Sequence, residues 1–280
     1  MPLPETALDL TSVAGQAPLP AEWAEWAEEP GKAVRLEEHG TLLGALHAII
    51  VGRDEAWFEG LWVQPSARGR GVGRRLVAEA EALVRDHGAT VVRTAVPARD
   101  YAAMAVAEGM GFAHHSEASV LVAEIDEGPI NIPYDAQVAV AQPGETAAIV
   151  TLIGASEHLA AWRGLIPLGW RFRRVQPELI RGLIKDGRVV RSGETPEGVA
   201  VFAVRGQVAV VSLLEGPRAH LQALFGAVAE RARSAGARRI AIFTPDAGVT
   251  AGIRATGVQH SWCPDGLVIV EKHLAGGRTH

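Results

Sequence analysis

LWVQPSARGRGVGRRLV, residues 61–77, passes from strand to helix through a loop dense in glycine and arginine. Leu61, Trp62 and Val63 end an apolar run, and Gln64-Pro65 breaks it. From Val72 the apolar residues Leu76, Val77, Ala80, Leu83 and Val84 recur at helical spacing, with charges on the other face. Between the two, Gly69, Gly71 and Gly73 let the backbone turn tightly and let a ligand approach it. The N–H groups that open a helix lack intrahelical partners and favour an anion. Arg68, Arg70, Arg74 and Arg75 add positive charge with no acid among them. The stretch therefore predicts a pyrophosphate cradle, against the plainer reading of an arginine-rich surface turn. No Gly-Lys-Ser/Thr follows, which excludes a Walker loop. A dinucleotide-binding turn needs a suitable βαβ unit with an acid about 20 residues on, and that is absent too.

Outward from the loop, AVRLEE, LLGALHAIIV and AWFEGLWV read as an antiparallel meander, separated by His39-Gly40 and Gly52-Arg53-Asp54. Gly88 sits where a helix ends. The run ATVVRTAVP is a strand, a second helix is expected from Arg99 to about Glu108, and another strand follows from about Ser116 to Ile125. Before the meander, Trp23 and Trp26 stand at helical spacing and predict a short amphipathic helix. The order is that of a mixed α/β domain with a mostly antiparallel sheet flanked by helices.

At about one domain per 150 residues, the 280-residue length favours two domains. Apolar residues make up 48% and charged residues 21%, which excludes a wholly disordered chain. Cys263 is the only cysteine, so a disulfide framework, a zinc cluster or a CxxC redox site within one chain is excluded, and the chain is compatible with a reducing cytosol. A net charge of −5 gives no pull toward nucleic acid. MPLPETALDL has neither a basic region nor an apolar one, and no apolar run approaches a membrane span, so neither a signal peptide nor a membrane partner is expected. The reading is a cytoplasmic protein.

DEGPINIPYD reads as a linker, and after it the same order of elements returns. GRVVRS, EGVAVFAVRG and QVAVVSLLEG form a second meander, a helix is expected over Arg218–Ala235, RRIAIFTP is a buried strand, DAGVTAGIRATG a short helix, and GLVIVEKHL a closing strand. Leu76, Gly88-Ala89 and Pro97 match Leu224, Gly236-Ala237 and Pro245 at one offset, and Gly111 matches Gly257. These matches favour a duplicated domain over coincidence. The expected domains are 1–126 and 137–280, with a linker at about 127–136.

The loop resembles a known family. Arg68-x-x-Gly71-x-Gly73 matches the R/Q-x-x-G-x-G/A acetyl-CoA signature of the GCN5-related N-acetyltransferases (GNAT), and the likeness extends to Val63-Gln64-Pro65 and to GMGF at 109–112. The resemblance covers residues 30–125 and implies two tandem GNAT-like domains with acetyl-CoA as cosubstrate and no metal. It implies that the backbone at Leu61, Trp62 and Val63 aligns the pantetheine and polarises the thioester carbonyl. Arg68, Gly69, Arg70, Gly71, Val72, Gly73 and Arg74 would hold the pyrophosphate, and the second helix, from Asp100, would flank the pantetheine arm. The second half departs from the pattern: VAVVSLLEGP runs into RAHLQALF without the glycines, Glu215 brings negative charge to the pyrophosphate position, and the loop reads as two or three residues shorter. It is read as a degenerate copy. Its basic stretch from Arg163 to Arg188, with Trp170 and Phe172, is either a surface for an acidic substrate or partner or a solvated helix face with buried aromatics.

Direct transfer to an amine needs a group to take the ammonium proton. Trp57, Glu59, Leu61 and Val63 share a face by alternation. The family commonly places its base at the positions of Trp57 and Glu59, of which only Glu59 ionises, so Glu59 is the candidate base, against an exposed strand-edge carboxylate. The family's usual acid, a tyrosine, is replaced by Ala107, and Tyr101 on the same helix is a weak substitute. His47 reads as a hydrogen-bonded core residue, one of His114 and His115 as pocket-lining, and Cys263 as a small buried hydrophobe. The expected activity is acetyl transfer from acetyl-CoA to a primary amine in the N-terminal domain, with a small-molecule acceptor. The alternative is a non-catalytic acyl-CoA sensor or structural tandem module. The second half is expected to pack on the first as an intramolecular pseudo-dimer, giving a monomer rather than an obligate oligomer.

Overall fold

The computed structural model describes residues 31–125, 137–245 and 260–274, with backbone alone at Arg205 and 260–265. The expected Trp23/Trp26 helix, the linker, the helix at 246–257 and the Cys263 side chain lie outside what is described. In chain order the elements are β1 (Lys32–Glu38), β2 (Thr41–Ile50), β3 (Glu55–Val63), α1 (Val72–Asp86), β4 (Val91–Pro97), α2 (Tyr101–Gly109) and β5 (Ala113–Glu124). Then follow β6 (Val138–Val140), α3 (Thr146–Gly154), α4 (Glu157–Ala161), β7 (Leu165–Leu168), β8 (Arg171–Arg174), α5 (Pro177–Lys185), β9 (Val189–Ser192), β10 (Gly198–Arg205), β11 (Val208–Glu215), α6 (Arg218–Ser234), β12 (Arg239–Thr244) and β13 (His260–His273). This is a mixed α/β protein whose strand pairs, among the described residues, are mostly antiparallel.

Contacts divide the described chain into two units. One holds 31–96, 101–114 and 270–274; the other holds 97–100, 115–125, 137–245 and 260–269. The division differs from a boundary at 126–137 in three places, because 97–100 and 115–125 group with the second unit and 270–274 with the first. Backbone bonds accompany each: the Ala98 amide donates to the Gly266 carbonyl at 3.0 Å. The Ile125 amide donates to the Arg238 carbonyl at 2.8 Å, and the Leu274 amide donates to the Thr90 carbonyl at 2.8 Å.

In the first unit the strand order is β1-β2-β3-β4, with the end of β13 beside β4. The β1–β2 turn has positive φ at both His39 and Gly40, the twist that closes a two-residue hairpin. Helix α1 buries Val72, Leu76, Val77, Ala80 and Val84. Gly44 on β2 lets it lie close: a Cβ there would stand 2.7 Å from the Trp62 carbonyl and 3.0 Å from Leu76 Cδ1. The end of β13 is fastened by charge. Arg93, fully buried on β4, pairs with the buried Glu55 carboxylate and donates from Nε to Glu271 at 2.6 Å. Lys272 Nζ donates to Glu81 on α1 at 2.5 Å and to the Met110 carbonyl at 2.8 Å.

The second unit orders its strands β5-β12-β11-β10-β9-β6. One face packs Leu121, Val211, Ile240 and Ile242 on Leu224 and Val228 of α6; the other packs Val199, Val201 and Leu213 on Ile149 and Ile153 of α3 and on Ile180 and Leu183 of α5. The basic stretch is a β7–β8 hairpin followed by α5 rather than one helix face. Trp162 and Phe172 are fully buried there, and Trp162 Nε1 donates to the Glu117 carbonyl at 2.9 Å.

Candidate active site

Two irregularities in the first unit open its sheet. The parallel β3–β4 pairing runs only from Glu55↔Val91 to Trp57↔Arg93, so the rest of β3 has left β4. On its other edge β3 carries a bulge: His47 faces Glu59 and Ala45 faces Trp62, which leaves one extra residue on β3. Gly60 supplies the turn with φ +65°, a conformation open to glycine without a Cβ clash. A splayed strand with a kink leaves backbone N–H groups beyond Trp57 free of β4, in the region of Leu61, Trp62 and Val63.

The glycine-rich loop sits directly beyond. Pro65–Ala67 form one 3₁₀ turn, and Arg68 Nε donates to the Val63 carbonyl at 3.3 Å, tying the loop to the strand end. Gly69 and Gly71 have φ of +76° and +79°, and a Cβ at either would meet nothing within 4 Å. The glycines are therefore there for the backbone turn, and the space before them is open. Gly71 caps α1, whose first i→i−4 bond runs from the Arg75 amide to the Gly71 carbonyl at 3.1 Å. The amides of Val72, Gly73 and Arg74 precede that bond and have no acceptor inside the helix. The Val72 side chain is buried beneath them, while Arg68, Arg70, Arg74 and Arg75 are exposed. Arg70 also pairs with Glu38 at 3.0 Å on the surface, an exposed and therefore weak interaction. Gly73 lies against Leu61 and Met110. Gln64 Oε1, at the loop's start, is buried without a hydrogen-bond partner.

Glu59 is half-buried rather than exposed, and its Oε1 lies 2.8 Å from Nδ1 of His47. His47 is buried at 1% exposure. Its hydrogen bond was expected; that the partner is Glu59 was not, because pairing across β2–β3 depends on which side of the bulge is counted. Asp100 is exposed in the turn before α2, within the Pro97–Asp100 segment that groups with the second unit. Ala107 is buried and Tyr101, at the exposed start of α2, is 76% accessible. His114 is exposed, and His115 is half-buried with Nδ1 3.1 Å from the Ser116 hydroxyl.

The second unit repeats the bulge without the opening. Val201 faces Leu213 and Phe202 faces Val211, so Ser212 is the extra residue. Aligned at the bulge, Phe202 stands where His47 does and Val211 where Glu59 does. The parallel β11–β12 pairing runs over four residues, Val208↔Arg239 to Val211↔Ile242, reaching the position of Glu59. Only Gly216 and Pro217 separate β11 from α6, six residues fewer than the Gln64–Gly71 loop, so the expected difference of two or three was too small. Glu215 accepts from the Ser156 hydroxyl and from His158 Nδ1, both at 2.5 Å. Burial on its own would raise the Glu215 carboxyl; the bonds from His158 and Ser156 outweigh it, and its pKa is lowered from 4.5.

Comparison with known proteins agrees with this architecture. Residues 4–112 match the acetyltransferase (GNAT) family. A GCN5-related N-acetyltransferase from Sphaerobacter thermophilus shares the fold at TM-score 0.63 and 17% identity, covering 92% of this chain and 86% of its own. A tandem GNAT protein from the clavulanic acid biosynthesis pathway shares it at TM-score 0.57 and 16% identity, covering 97% of this chain and 94% of its own. No curated protein sequence matches the chain. Among the described residues no helix is long and apolar enough to cross a membrane, and no three His, Cys, Asp or Glu side chains gather as a metal site. Residues 4–112 thus match the GNAT acetyltransferase family, and along most of its length the chain shares the fold of solved GNAT structures.

Proposed function

We propose that the protein transfers the acetyl group of acetyl-CoA to a primary amine of a small molecule, and that the chemistry belongs to the first unit. The observation that supports this most is the splayed β3 edge leading into a glycine-capped helix start, with Glu59 on the strand between. The residues present fit the cosubstrate. Three helix-opening amides, open space before Gly69 and Gly71 and four exposed arginines suit a pyrophosphate. Acetyl-CoA supplies an activated acyl carbon and a thiolate leaving group. The chain supplies position and a base. The β3 amides near Leu61, Trp62 and Val63 donate toward the acyl oxygen, where negative charge develops.

Glu59 takes one proton from the acceptor ammonium, directly or through a water. The freed amine forms the C–N bond as the C–S bond breaks. The second nitrogen proton is balanced by protonation of the departing thiolate, and the proton on Glu59 returns to solvent. Ala107 fills the position of the family's usual tyrosine acid, and a thiolate is a weak enough base to leave without one.

The second unit is proposed to hold no acetyl-CoA. Its strand gap is paired two residues further, its loop lacks the glycine cap, and Glu215 puts a carboxylate at the strand end, in the position of Val63. Thiol release from acetyl-CoA across a panel of polyamines, amino sugars and amino acids tests the reading. Turnover with at least one of them is expected. Tight acetyl-CoA binding with no turnover on any amine would instead support the sensor.

A further inference from the structure

The first unit holds a second ionisable group against the proposed base, and the second unit has lost both together. His47 Nδ1 and Glu59 Oε1 are 2.8 Å apart, across directly facing positions of β2 and β3. An ionised carboxylate only accepts, so the proton in this bond sits on Nδ1. The imidazole is enclosed on its far side. A Cβ at Gly31 would fall 2.3 Å from Nε2, 2.7 Å from Cε1 and 3.0 Å from the Ala48 carbonyl, so residue 31 has no side chain where the ring is seated. At the same bulge in the second unit the pair is Phe202 facing Val211. A ring of similar breadth and a β-branched residue fill the space with no hydrogen bond, so the fold does not require a polar pair there.

Resting on the acetyltransferase reading, we infer that His47 is a positioning residue for Glu59: its Nδ1–H holds Oε1 and fixes the orientation in which the carboxylate takes the substrate proton. His47 itself exchanges no proton with the substrate. Gly31 belongs to the same device, because it gives the imidazole its seat.

The test is steady-state kinetics of the full-length protein with acetyl-CoA and the best acceptor of the amine panel. His47→Phe keeps the ring and removes the donor, and His47→Gln keeps an N–H donor. Loss of a hydrogen bond to a charged group is expected to lower kcat by about 10- to 100-fold in His47→Phe. KM for acetyl-CoA should stay within about twofold, since the loss falls after binding. His47→Gln should recover most of the rate. Gly31→Ala displaces the ring without removing it and should lower kcat in the same way, which keeps the inference testable if His47→Phe does not fold. An unchanged kcat in His47→Phe, or equal losses in His47→Phe and His47→Gln, overturns it. Glu59→Gln run alongside separates the two claims: if it loses rate while His47→Phe does not, the base reading stands and this inference falls. No turnover on any amine overturns both.

Discussion

Arg93 and Glu271, 178 positions apart in the chain, share a 2.6 Å ion pair in the sheet of the first unit. The guanidinium is fully buried and also meets Glu55. A buried charge is tolerable only while paired. The end of β13 is therefore needed by the unit that carries the glycine loop, although the loop and this strand come from opposite ends of the chain.

Truncation before Val270 should expose that need. It removes Glu271 from Arg93, Lys272 from Glu81 and the Met110 carbonyl, and the Leu274 amide from the Thr90 carbonyl. A chain ending at Ile269 is expected to lose its cooperative thermal transition or to aggregate. Arg93→Leu, which strands two carboxylates, should destabilise by about 3–5 kcal/mol in urea unfolding. A change under about 1 kcal/mol in that variant would show that the triad is not what anchors the strand.

Glu59→Gln keeps the shape of the side chain and removes the proton acceptor. Since a positioned base contributes about 10²–10⁴-fold, kcat/KM near neutral pH should fall by that order. An unchanged rate would remove Glu59 from the chemistry.

The Glu215 carboxyl makes the second unit sensitive to acid. Its folded pKa lies below its unfolded value, through His158 and Ser156 acting against burial. The stability it contributes is therefore present above the unfolded value near 4.5 and is lost as the pH falls through the folded one. Thermal melts of parent and Glu215→Gln should differ at pH 6 and converge toward pH 3. A gap that stays constant across that range would mean the ionised carboxylate stabilises nothing.

Gly44→Ala offers a packing test. Its Cβ would meet the Trp62 carbonyl at 2.7 Å, and a backbone atom cannot move aside as a side-chain tip can. A loss of about 1–3 kcal/mol is expected from overpacking between β2 and α1. A neutral substitution would show that β3 shifts freely at Trp62.

Much of this was legible in the residues because it is local. The glycines of the 69–71 turn, the helical spacing after Val72 and the alternation along β3 each act within one turn or one strand. What was not legible depends on distant partners. The β3 bulge decides that His47 faces Glu59, and nothing short of the β2–β3 register reveals it. The destination of residues 270–274 is fixed by Arg93, Glu81 and Thr90, none of which is near them in sequence. Two short strands around Pro167 and Phe172 were hidden in a basic stretch because Pro167 interrupts the short apolar run of β7 and Phe172 is the one buried residue among the arginines of β8.

The central claim is that one of the two similar units holds acetyl-CoA, at the Gly69–Gly71 turn. Isothermal titration of acetyl-CoA into the full-length protein and into Gly71→Asp tests it most directly. Aspartate there would strain a backbone at φ +79° and place a carboxylate at the helix start. One site per chain in the parent, abolished by Gly71→Asp, is the predicted result; two equivalent sites, or one site that survives the substitution, would contradict it.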